Sequence, residues 1–303
     1  MHASLGSVRA ILASAALIGL AGLAGPAPAG SATGAPQPAA AAQDACGEVR
    51  AKADGSTWHC SFVDNFDGRE LNLDKWITQD TSVTGFRTGV TCFTTARKNI
   101  QVSQGALRLT ARNEKGTFLC QTPSGVFTTT YTGGMVGTRT KFSQTYGRFE
   151  VRAKLPTARR GGVHGGFWMF PLNLRYGIWP ASGEIDIAEW WSNRPTSVMP
   201  SLHYDGRDPQ KDSGWDCGVS TPSAYHTYAL EWLPSGLKFF IDGKLCFSRT
   251  PEPAAPLVAP QPFDHPFSMI LNMGVGPAFG NNAVSPSTPL PATYVVDYVK
   301  AWH

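Results

Sequence analysis

Residues 183–190 read Gly-Glu-Ile-Asp-Ile-Ala-Glu-Trp. Three carboxylates, Glu184, Asp186 and Glu189, stand close together, and the residues between them, Ile185, Ile187 and Ala188, are all apolar. A solvated acidic edge alternates its acids with polar residues. Apolar partners instead mark a strand with one buried face. In a regular strand Glu184 and Asp186 share a face and Glu189 points to the other. One extra residue turns Glu189 back, and a β-bulge supplies it. The spacing therefore predicts a bulge at Ile187-Ala188 and three carboxylates on one face.

That geometry suggests a reaction. About four residues of strand at roughly 3.3 Å each separate the outer glutamate backbones by about 13 Å. Side chains leaning together close this to about 5–6 Å, the gap at which one carboxylate attacks an anomeric carbon while another handles the proton. Clustered anions also repel, which raises the proton affinity of one of them. Asp186 is short and central, placed to share a proton with the nucleophile or to orient it. A calcium site would want more carbonyl and Asp/Asn ligands in a turn. Trp179 and Trp190 flank the run as candidate sugar platforms, each with a core role as the alternative.

Working outward, the chain reads as strands. Gly147–Leu155 alternates strictly, with Phe149, Val151, Ala153 and Leu155 on one face and Arg148, Glu150, Arg152 and Lys154 on the other. Ala106–Arg112 does the same with Leu107, Leu109 and Ala111. Asp242-Gly243 between two apolar runs signals a hairpin. Tyr225–Trp232, Phe267–Val275 and Tyr294–Trp302 are further strand-like runs. Long loops are expected at 156–166, 205–224 and 251–266. There is no amphipathic helix beyond the N-terminal segment and no repeat of fixed period. The pattern is all-β, one sandwich or barrel.

Composition agrees. Charged residues are only 16% of 303, Gly 32 and Pro 23 are turn material, and 42% hydrophobic content supplies a large core. A net charge of +4 is too small for a nucleic-acid reading. Near the N-terminus, Arg9 precedes an apolar run, Ile11 to Leu23, followed by small residues. This is the layout of a secretory signal, and the run is short of the roughly 20 residues a membrane span needs. Residues 1–42 are thus expected to be signal and Ala/Pro-rich spacer, and 43–303 one exported domain with no membrane association after signal removal. All six cysteines lie beyond the signal, and export permits disulfides. They allow fifteen pairings. Pairing between sequence neighbours, 46–60, 92–120 and 217–246, is expected because each would staple a local loop. No zinc spacing, H-E-x-x-H, P-loop or G-x-S-x-G elbow is present.

The run Trp179-Pro-Ala-Ser-Gly-Glu-Ile-Asp-Ile-Ala-Glu189 closely resembles the signature of glycoside hydrolase family 16, in the bulged form of bacterial laminarinases. Phe62–Arg69, Leu73–Trp76, Tyr146–Pro156, Phe167–Met169, Leu202–Tyr204, His226–Trp232, Ile270–Asn272 and Val296–Val299 also match in order. The resemblance implies a single jelly-roll β-sandwich of two antiparallel sheets with a concave substrate cleft. It implies Glu184 as nucleophile, Asp186 as assisting acid and Glu189 as acid/base. His203, Arg148 and Asn99 resemble positions that contact sugar, and Asp297 one that binds structural calcium in some relatives. No cofactor is required by such relatives. The expected function is a secreted retaining endo-β-1,3-glucanase, a monomer acting on β-glucan, with no nucleic-acid partner. The alternatives are a hydrolase or transglycosylase on mixed-linkage glucan or a galactan, and a lectin-like glucan-binding protein. His164-Gly165-Gly166 stands where laminarinase-like relatives carry Trp-Pro-Ala. Gly276-Pro-Ala-Phe-Gly280 also departs from their pattern. Both fall where cleft walls are expected.

Overall fold

Period-two alternation places most strands where the sequence suggests them. The computed structural model describes residues 42–158 and 160–303. The expected signal and spacer lie outside the described residues, save Ala42. β1 (Gln43–Asp44) and β2 (Gly47–Glu48) form a small ladder. β3 (Cys60–Asp64) and β4 (Ile77–Thr78) follow. A single helical turn, α1 (Thr81–Thr84), is capped by Asp80, whose side chain accepts from the Ser82 N–H. Next come β5 (Thr91–Phe93), β6 (Ile100–Val102), β7 (Leu107–Thr122) and β8 (Gly125–Gly137). β9 (Gly147–Lys154), β10 (Val163–Pro171), β11 (Glu184–Trp191) and β12 (Val198–His203) follow. The chain closes with β13 (His226–Leu233), β14 (Gly236–Ile241), β15 (Lys244–Arg249), β16 (Phe267–Val275) and β17 (Ala292–Trp302).

These strands make two packed layers of a jelly-roll sandwich. One runs β12-β11-β10-β16-β8, the other β7-β17-β9-β13-β14-β15. The long β7–β8 hairpin joins them. Leu107–Ala111 of β7 pair with β17, the rest of β7 pairs with β8, and Gly134–Gly137 of β8 pair with β16. The pairing is antiparallel throughout these layers, while β5 lies parallel to β8. Inward side chains of β9 and β13, such as Phe149, Val151, Leu230 and Trp232, meet Phe167, Met169, Ile185 and Leu271 of β10, β11 and β16. All eight are fully buried. Each contributes roughly 1.5–3 kcal/mol on burial. A slip of one residue would invert a whole strand, so the core also fixes the register.

The Asp242-Gly243 turn closes β14 on β15 with φ of 48° and 75°, the paired positive values a two-residue hairpin requires. Leu107, Leu109 and Ala111 are buried as expected. The three disulfides pair sequence neighbours, Cys46–Cys60, Cys92–Cys120 and Cys217–Cys246. No helix among the described residues is long and apolar enough to cross a membrane. One expectation needs correcting. Residues 163–166, read as the end of a loop, are the start of β10, with His164, Gly165 and Gly166 paired on both sides. Gly165 and Gly166 carry no side chain, so the period-two signal fades there.

Candidate active site

The bulge in β11 lies at Ile187-Ala188. Against β12, Asp186 pairs with Ser201 and Glu189 with Met199, so three steps on β11 answer two on β12. Against β10, Ala188 pairs with Phe167 and Asp186 with Trp168, which skips Ile187. Ile185, Ile187, Ala188 and Trp190 are buried in the core. Glu184, Asp186, Glu189 and Trp191 face a cleft of ≈ 420 Å³.

The floor of this cleft is the outer face of β10, β11 and β16. β10 gives His164, Gly166, Trp168 and Phe170, every second residue, and β16 gives Asn272. One wall is Phe86–Gly89, the segment after α1. A Cβ at Gly89 would lie 2.1 Å from the Gly276 carbonyl oxygen, and its φ is 52°. Only glycine lets this wall cross so close to the end of β16. The other wall carries Trp179, 53% exposed, whose ring lies 5.8 Å from that of His203.

The carboxylates sit in distinct surroundings. Burial first, and then the neighbouring Asp186, push Glu184 up to about 8, while His203 pulls the other way. Burial and the Glu189 charge hold Asp186 well above the usual carboxylate range. His203 Nε2 lies 3.0 Å from Asp186 Oδ2, across the register pair Glu184–His203. Burial lowers His203 in turn. For Glu189 burial acts upward, but the His164 hydrogen bond and charge, with smaller contributions from Trp191 and His203, bring it below its ordinary value. His164 Nε2 lies 3.2 Å from Glu189 Oε1.

Between 4.5, the ordinary value, and about 8, the folded chain keeps a proton on Glu184 that the unfolded chain releases. Stability from this group is therefore full below 4.5 and falls as pH rises to about 8. Glu184→Gln is expected to be more stable than the wild type at pH 8, by on the order of a few kcal/mol, with less gain at pH 5. Urea unfolding at the two pH values measures this, and a gain independent of pH would contradict it.

Other expected site residues lie elsewhere. Trp190 is 1% exposed and donates its indole N–H to the Pro195 carbonyl, so it belongs to the core. Arg148 lies on β9, on the face opposite the core side chain Phe149 and in the other layer. Its guanidinium is committed to Glu150 at 2.7 Å and Glu231 at 2.9 Å. Asn99 is fully buried, donating to the Thr110 carbonyl and the Thr132 hydroxyl and accepting from Thr94. It ties β7 to β8 and does not line the cleft. Asp297 pairs with Arg152 at 2.5 Å. It is outside both clusters of His, Cys, Asp and Glu found among the described residues. None of these four residues lines the cleft.

Sequence reading put His164 at an expected cleft wall, but inside a loop, and missed Asn272 and the 86–89 wall as parts of the cleft. The alternation of His164, Gly166, Trp168 and Phe170 would have put His164 on the cleft side of a strand, had β10 been started at Val163.

A jelly-roll sandwich with three carboxylates lining an open cleft is the architecture of a polysaccharide-cleaving glycosidase. The chain belongs to the glycosyl hydrolases family 16, whose model matches residues 87–285. It is 34% identical over 258 residues to glucan endo-1,3-beta-glucosidase A1 of Niallia circulans, covering 80% of this chain but 37% of that protein. It is 34% identical over 261 residues to the beta-glucanase of Rhodothermus marinus, covering 81% of this chain and 85% of that one. The laminarinase structure from Rhodothermus marinus superposes with a TM-score of 0.67 at 31% identity, over 81% of this chain and 97% of that one.

Proposed function

We propose that the chain is a secreted retaining endo-β-1,3-glucanase. Residues 1–42 would direct its export and 43–303 would form the catalytic domain. Glu184 attacks the anomeric carbon as a carboxylate, and Glu189 protonates the departing glycosidic oxygen. Glu189, now ionised, removes a proton from water, which displaces Glu184 from the sugar. Asp186 shares a proton with Glu184. One observation supports this most: the bulge sets all three acids on one face, in one cleft, without breaking the core. Names borne by relatives point to a β-1,3-glucan. The disulfides suit an oxidising exterior.

The three acids titrate as one set. In the empty cleft the proton favours Asp186 and Glu184, and the charge favours Glu189. The reactive form holds the same number of protons with one moved to Glu189. Bound sugar favours that form, because the glycosidic oxygen accepts from Glu189 and the anomeric carbon attracts an ionised Glu184.

Reducing-sugar release from laminarin, lichenan and agarose tests the reading. Laminarin is expected to be cleaved fastest, and internal cutting should lower its viscosity early. Preference for lichenan or agarose would overturn the β-1,3 assignment. Equal laminarin binding by wild type and Glu184→Gln, with no sugar released by either, would leave a binding protein instead.

A further inference from the structure

We infer that Trp168, Asn272 and His164 form a directed hydrogen-bond relay that fixes His164 as an Nε2–H donor aimed at Glu189. His164 is then a positioning residue for the acid/base step. The inference rests on the acid/base role proposed for Glu189.

The direction follows from donor chemistry. The indole N–H of Trp168 can only donate, and it lies 2.9 Å from Asn272 Oδ1. That pins the Asn272 oxygen toward Trp168 and turns its amide nitrogen toward His164, 3.4 Å from Nδ1. An amide nitrogen only donates, so Nδ1 accepts and the ring proton of neutral His164 sits on Nε2. Nε2 faces the Glu189 carboxylate at 3.2 Å. Trp191 packs on the His164 ring with centroids 4.0 Å apart, which limits its rotation. The strands set this up in register, since Gly166 lies opposite both Glu189 and Asn272.

The groups facing Glu189 are few. They are His164 from β10, Asp186, Glu184 and the Trp191 indole on its own strand, and His203 from β12, with Arg87 on the far wall. Of these, His164, at 3.2 Å, and the Trp191 side chain hydrogen-bond it. As Glu189 gives its proton to the leaving oxygen it becomes an anion, and the His164 N–H is already aimed at that charge. A preorganised donor to a developing charge favours the step. It also weakens the hold of the acid on its proton, in line with the downward direction at Glu189.

His164→Phe keeps the ring against Trp191 and removes the donor. The acid limb of kcat/KM on laminarin, where Glu189 takes up a proton, is expected to move up by about one pH unit, with the alkaline limb, where Glu184 loses its proton, unmoved. kcat on the plateau should fall about tenfold. The fall should be far smaller on an aryl β-glycoside with a nitrophenolate leaving group, which needs little protonation. Trp168→Phe frees the Asn272 amide to flip and should move the same limb the same way, by less. An unmoved acid limb in His164→Phe overturns the inference, and so does an equal loss on both substrates. Movement in His164→Phe with none in Trp168→Phe overturns the relay beyond His164. The acid/base reading itself is tested apart, by azide rescue of Glu189→Ala. Rescue there with an unmoved limb in His164→Phe condemns the relay alone.

Discussion

Glu184→Ala is expected to lower kcat/KM on laminarin by roughly 10⁴–10⁶, the scale of losing a nucleophile. Binding should change little, since Trp179, Trp168 and the 86–89 wall remain. Removing the side chain opens space at the anomeric carbon on the face from which it attacked. Azide can occupy that space, and with an activated aryl β-glucoside it should give the α-glycosyl azide. Glu189→Ala should cost less, about 10²–10⁴ on laminarin, because it removes proton transfer and leaves the nucleophile. Its azide product should be the β-glycosyl azide, formed by attack on the glycosyl-enzyme. Product stereochemistry by proton NMR separates the two roles. Swapped products would exchange the assignments of Glu184 and Glu189.

The second large effect concerns the bulge. Inserting one alanine between Ala188 and Glu189 shifts the parity of everything that follows. Glu189 would turn into the core beside Phe167, and Trp190, now fully buried, would turn out. Burying an unpaired carboxylate costs several kcal/mol and exposing the tryptophan about 2–3 kcal/mol more. The variant is expected to lose at least 10²-fold in activity and to melt well below the wild type. Deleting Ala188 is the contrasting change. The strand becomes regular, and Glu184, Asp186 and Glu189 then stand at alternate positions, still on one face. This variant should fold and keep measurable hydrolysis. Thermal melts and laminarin assays on the pair check the argument, which fails if the insertion is tolerated and the deletion is not.

Much of this was legible in the sequence because β11 carries two kinds of information at once. Ile185, Ile187 and Ala188 specify its buried face, and the odd spacing of Glu189 specifies the bulge. Alternation in β9 and the Asp242-Gly243 turn were equally direct. Legibility ended where a residue's surroundings depend on distant strands. Arg148 sits on the polar face of its strand, but only the β9–β13 register shows that Glu231 lies opposite it. Asn99 is polar and next to no apolar run, but the β7–β8 crossing buries it completely. His164 looked like a departure within a loop. Its partners Glu189 and Asn272 lie 25 and 108 residues away, so no local pattern announces them. Composition excluded whole classes of function, and pairing across strands decided which polar residues face the cleft.

The central claim is that the bulged strand presents Glu184 as the nucleophile beside Glu189. Trapping tests it most directly. A 2-deoxy-2-fluoro β-laminaribiosyl donor with a dinitrophenolate leaving group slows hydrolysis of a glycosyl-enzyme enough to isolate it. Mass mapping of the labelled peptide should place the sugar on Glu184. A label on Glu189 or Asp186, or rapid turnover to an inverted product with no label at all, would contradict the account.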